Sequence, residues 1–119
     1  MNELEPNERA CHLVDALATP GDLSALLPLL RDPRSRVRHA VVVVLALVHP
    51  PAEVVPRLVE RALQDPSLRV RRQAVSMLAW RLAHPDLLGF FAGLLEHERD
   101  EKLLRHARAG LRACRGASC

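Results

Sequence analysis

Apolar residues recur every three to four positions along most of this chain, and the whole arrangement of apolar and polar sites repeats every 33 residues. Residues 32–48, 65–81 and 98–114 align without a gap. One column is acidic (Asp32, Asp65, Glu98), a second is apolar (Val37, Val70, Leu103), a third is small or apolar (Val41, Ala74, Ala107) and a fourth is leucine throughout (Leu45, Leu78, Leu111). Apolar columns four residues apart mark one face of a helix. The valine-rich run "AVVVVLALV", residues 40–48, could be a buried strand on β-branched content alone. Its counterparts "QAVSMLAWR" and "HARAGLRAC" are poor strands, so all three copies are expected to be helices.

Segments that open with proline and carry Leu or Val at helical spacing lie between these copies: "TPGDLSALLPLLR", "HPPAEVVPRLVERAL" and "HPDLLGFFAGLLEHE". Each reads as the first helix of a hairpin. The predicted helices run over residues 6–18, 22–31, 33–48, 51–64, 66–83, 86–97 and 100–115. Residues 6–18, with Ala10, Leu13, Val14 and Leu17 on one side, form an unpaired leading helix. Asp32-Pro33 and Asp65-Pro66 are expected to set an N-cap acceptor beside a proline at the first helical position, and Asp100 to cap the third copy. Pro28 and Pro56 fall inside predicted helices and should kink them. Hairpins repeating at this period bury their apolar faces only by stacking on one another, which defines a solenoid.

The repeated segments "LLRDPRSRVRHAV" and "ALQDPSLRVRRQAV", with an Asp six residues before the Arg of a Val-Arg pair and helix-interior prolines upstream, resemble the HEAT-repeat family, in particular its short bacterial HEAT-like form. The resemblance spans about residues 22–115. It implies an all-α fold: a right-handed alpha-alpha superhelix of about three antiparallel hairpins plus the leading helix, filling residues 1–119 as one domain. It also implies that Asp32, Arg38, Asp65 and Arg71 hold neighbouring repeats together, and that the second helix of each hairpin lines a concave side. The third copy departs, with Glu98-Arg99 for Asp-Pro and Leu103-Leu104 for Val-Arg. That departure suits a terminal unit whose outer side is wetted by Arg105, His106, Arg108 and Arg112.

Composition sharpens this picture in two ways. Sixteen of the 17 basic residues are Arg, Tyr is absent, and Phe90, Phe91 and Trp80 are the only aromatics, so Leu, Val and Ala must build the core. The net charge of +3 also conceals an asymmetry. Residues 1–30 carry −4, residues 31–84 carry ten Arg against four acids for +6, and the remainder carries +1. Such a basic middle suits an anionic partner.

Candidate chemistry is sparse. There is no nucleophile elbow, phosphate-binding glycine loop or zinc-protease motif, so no enzymatic activity, cofactor or metal is expected. His49 and His84 recur at matching turns, where each is expected to close the preceding helix at its negative dipole end. Glu96, His97, Glu98 and His106 lack the spacing of a metal set. Cys11, Cys114 and Cys119 fit neither a disulfide framework nor zinc spacing, which points to a reducing compartment. Gly89 and Gly93 could allow a close helix approach or mark a locally weak helix. The N-terminus is acidic and without an apolar segment, and the longest apolar run is too short for a bilayer, so a cytoplasmic, non-membrane location is expected.

The strongest candidate site comes from two further columns. Arg36, Arg69 and Lys102 form one, and His39, Arg72 and Arg105 the other: six cation-capable side chains on adjacent positions of three successive helices. Two readings stand. The first column could be self-neutralised, because Asp32, Asp65 and Glu98 each precede it by four residues, whereas in the second only Arg105 has an acid at that spacing. Alternatively, the ladder forms a basic groove. The function expected is a non-catalytic scaffold that holds a protein partner, an acidic one, on this face. The alternative is nucleic-acid binding through phosphate contacts, and the scarcity of aromatics speaks against single strands. HEAT-like repeats also occur in proteins resembling phycobilin lyases, but no residue here marks a pigment site.

Overall fold

The computed structural model describes residues 23–48 and 51–117, and every regular element among them is helical. Helix α1, Leu23–Leu26, runs directly into a 3-10 segment, Leu27–Arg31. Helix α2 spans Ser35–Val48, α3 Pro51–Gln64 and α4 Leu68–Trp80. A 3-10 turn, Pro85–Leu87, leads into α5, Leu88–His97, and α6 covers Glu101–Ala117. The predicted leading helix 6–18 and the His49-Pro50 turn lie outside the described residues.

Each first helix packs on the second helix that comes after it, giving three hairpins: α1/α2, α3/α4 and α5/α6. The second helices also pack side by side, α2 on α4 and α4 on α6, whereas the first helices have little or no direct contact with one another.

The repeat columns explain the core. Val37, Val41 and Leu45 on α2, Val70, Ala74 and Leu78 on α4, and Leu103 and Ala107 on α6 are all fully buried. They join Val54, Leu58, Phe91 and Leu94 of the first helices in one continuous apolar cluster. The valine run is helical within α2. Val41 and Val42 face inward while Leu47 is exposed, as the 3.6-residue period requires; Val48, on the inner side by that period, is exposed at the last position of the helix.

The last hairpin changes the stacking face. Val42 and Val75, equivalent by the period, are buried, and the third member of their column is the exposed Arg108. Ala46 and Ala79 give way in the same manner to the exposed Arg112.

Four local expectations need correction. The helices begin two residues after the Asp-Pro pairs, because a residue preceding proline is pushed towards extended backbone; Asp32 has φ −59° and ψ 139°. Asp32 Oδ1 instead accepts the Arg34 N–H (2.9 Å) and Asp65 Oδ1 the Ser67 N–H (2.8 Å), while Ser67 caps α4 and Asp100 caps α6 by accepting the Leu103 N–H (2.9 Å). Pro28 lies in 3-10 rather than α-helix, while Pro56 falls inside α3 as expected.

His84 does not close α4, which ends at Trp80. It caps the next element, with Nδ1 accepting the Asp86 N–H at 3.1 Å. Finally, Gly89 and Gly93 face open space. The close approach is at Gly110 on α6, where a Cβ would stand 2.5–2.8 Å from ring atoms of Phe91.

Candidate functional site

Two layers of charge run across the stack, one between the hairpins and one on the exposed side of the second helices. In the first, Arg38 donates from Nε to Asp65 Oδ2 (2.8 Å) and from Nη2 to Asp65 Oδ1 (3.1 Å), and from Nη1 to the Asp32 carbonyl (2.7 Å). One period later, Arg71 pairs with Glu98. Each pair links a second helix to the turn that opens the next second helix. At the following position the column holds Leu104.

Asp32 does not join another hairpin among the described residues; it pairs with Arg34 on its own turn, at 3.0 and 3.1 Å. That contact holds the Asp32 carboxyl below its usual range. Arg61, which the period did not single out, approaches both Asp65 Oδ2 and the Leu30 carbonyl at 3.4 Å.

In the second layer, Arg36, Arg69, Lys102 and Arg105 are exposed, and none has an acidic or hydrogen-bonded partner among the described residues. The i, i+4 pairings that could have neutralised the first column do not form, because Asp32, Asp65 and Glu98 are taken by Arg34, Arg38 and Arg71. Arg72 differs from its neighbours. It donates from Nε to Asp100 Oδ2 at 2.7 Å and makes a second contact to Oδ1, crossing from α4 to the cap of α6. This pairing, with the Leu103 N–H, drives the Asp100 carboxyl far below the ordinary carboxylate range. His39 is part-buried and bonded to Gln73. Burial first, and then the nearby Arg69, press its pKa down, so it is neutral at pH 7. Of the six predicted ladder residues, four are therefore free cations.

The same helix faces carry apolar side chains further along. Residue 47 lies eleven positions after 36, three helical turns, and so points the same way. Its period mates are Trp80 and Ala113. Leu47 and Trp80 are 53% and 65% exposed, more than any other large apolar residue on the second helices. Extending the column alignment to the ends of the helices would have found them.

Other chemistry is thin. An open apolar cleft of about 470 Å³ lies between the start of α3 and the 81–87 connection, with His84 and Asp86 at its rim. Among the described residues no three His, Cys, Asp or Glu side chains gather as a metal set, and no helix is long and apolar enough to cross a membrane. Cys114 is a buried free thiol.

Stacked helical hairpins linked by Arg–acid pairs define the class as an α-helical repeat protein. A family model for HEAT repeats matches residues 9–112, and the chain belongs to the HEAT-repeat family. No curated protein and no solved structure matches it. HEAT repeats are commonly non-catalytic protein-interaction scaffolds.

Proposed function

We propose that this HEAT-repeat chain is a non-catalytic scaffold whose concave face holds an acidic segment of a protein partner. One observation carries the reading: Arg36, Arg69, Lys102 and Arg105, at repeat-equivalent or adjacent positions of three successive second helices, are exposed and have no acidic partner among the described residues, while the cations between hairpins are paired. Holding unpaired like charges together on adjacent helices is unfavourable without an anionic partner. Four cations spread over three helices are few for a phosphate backbone, so nucleic acid is the weaker alternative.

The test is charge reversal at Arg36, Arg69 and Lys102 to Glu, followed by capture of partners from a lysate of the native host. Arg72 is left intact because it braces the α6 cap. The triple variant is expected to keep its helical circular-dichroism signal and lose its partners. Unchanged capture overturns the reading. Tight duplex binding that weakens steeply between about 50 and 200 mM salt would transfer the face to nucleic acid.

A further inference from the structure

We propose that the partner segment is amphipathic, with carboxylates for the Arg36–Arg69–Lys102 row and a purely apolar anchor seated on Trp80 and Leu47. This deepens the proposed function and rests on it. The exposed face of each second helix changes character along its length. α2 presents Arg36 near its start and Leu47 near its end; α4 presents Arg69 and then Trp80; α6 presents Lys102 and then Ala113. Eleven residues of helix separate the charged row from the apolar row, about 16 Å. A helical dodecapeptide, about 18 Å long, spans that distance.

Two details define the anchor. The Trp80 indole N–H donates to His106 Nδ1 at 3.0 Å, with the rings edge-to-face, so the only polar atom of the side chain is already satisfied. What Trp80 offers a partner is therefore ring surface alone, and a group meeting it has nothing to gain from an acceptor. The ring is also held in one orientation before anything binds, which lowers the entropy lost on association. A pre-positioned, largely exposed tryptophan, with an exposed leucine at the equivalent position of the preceding second helix, is the kind of residue that dominates binding energy when covered. A wholly acidic segment would satisfy the cations and leave this surface in water.

The test uses the intact chain and a random dodecapeptide library displayed on phage. Peptides selected on the wild type are expected to combine several Asp or Glu with at least one Leu, Ile, Phe or Trp. Trp80 is the only tryptophan in the chain, so its emission should shift to the blue when a selected, tryptophan-free peptide is added. Trp80→Ala should weaken that peptide at least tenfold, and Arg36→Glu with Arg69→Glu should weaken it further. Enrichment of acidic residues without apolar ones, and no response from Trp80, overturns this inference and leaves the proposed function standing. Enrichment without acidic residues overturns both. Concentration-dependent dimerisation abolished by Trp80→Glu would assign the surface to a second copy of this chain and also overturn the inference.

Discussion

Arg38 and Asp65 lie 27 residues apart on different hairpins and meet through two parallel N–H···O contacts, with the Asp65 side chain wholly shielded from water and the Arg38 side chain 8% exposed. A buried pair of this kind is poor evidence of net stabilisation, because desolvating both charges offsets most of their attraction. Removing one partner is another matter. Asp65→Ala strands the Arg38 guanidinium and frees the Ser67 N–H, and is expected to cost about 3–5 kcal/mol in urea denaturation. Replacing both residues with apolar side chains of similar size should recover much of that loss. A single-variant cost below about 1 kcal/mol would mean that the pair does not hold the hairpins together.

Phe91 and Gly110 are complementary in volume. Their equivalents one period earlier are Leu58 and Met77, so the last hairpin enlarges one member and reduces the other to a hydrogen atom. In an exposed helix Gly→Ala gains about 0.5–1 kcal/mol. At Gly110 the new methyl meets a fully buried ring, and overpacking at about 1–3 kcal/mol should outweigh that gain. Gly110→Ala is therefore expected to lower the melting temperature. Phe91→Leu, destabilising alone, should be far less so in the Gly110→Ala background, a coupling a double-mutant cycle reads directly.

The period of 33 was legible because every hairpin must present the same shape to its neighbours, which forces Val37, Val70 and Leu103 into register. The acidic column was visible for the same reason, as part of the turn that each unit repeats. Relationships that belong to one unit alone leave no column. Arg72 and Asp100 are 28 residues apart, and position 67, one period before Asp100, is Ser, so nothing repeated announces their pairing. The Phe91–Gly110 contact is hidden because it changes residue type in two columns at once, a larger ring filling the space left by a missing side chain. His84 reads as a helix terminator from its position, and only the backbone path shows that it caps the 3-10 turn Pro85–Leu87.

Acid should loosen the joint between the last two hairpins. The Asp100 pKa is depressed chiefly by its hydrogen bonds from Arg72, with the Leu103 N–H adding to them. A depressed carboxyl contributes stability that is fully present above its unfolded value, about 3.9, and is lost as pH falls through the folded value. Arg72→Gln removes the main cause. Its melting temperature should be lower than wild type at pH 7, and the gap should narrow as both proteins are titrated from about pH 4 towards pH 2. Parallel curves would show that the Arg72–Asp100 contact has no part in the acid transition.

Trp80 should report the protonation of His106. Burial, and secondarily the adjacent Arg105, depress the His106 pKa, so at neutral pH its Nδ1 is free to accept the indole N–H. Protonation turns that atom into a donor and breaks the contact. The emission of Trp80 is therefore expected to change in a step whose midpoint lies below the ordinary histidine value of about 6.5. The sign for stability comes from the same depression. The contribution of His106 is complete above about 6.5 and declines as pH falls through its folded pKa, because the unfolded chain takes up the proton first. His39 is depressed as well, by burial and Arg69, and should add to the stability change. It has no contact with Trp80, so it should leave the fluorescence step unaltered. His106→Phe keeps a ring against Trp80 but removes the acceptor, and it should abolish the step. A step that survives in that variant would place the titrating group elsewhere.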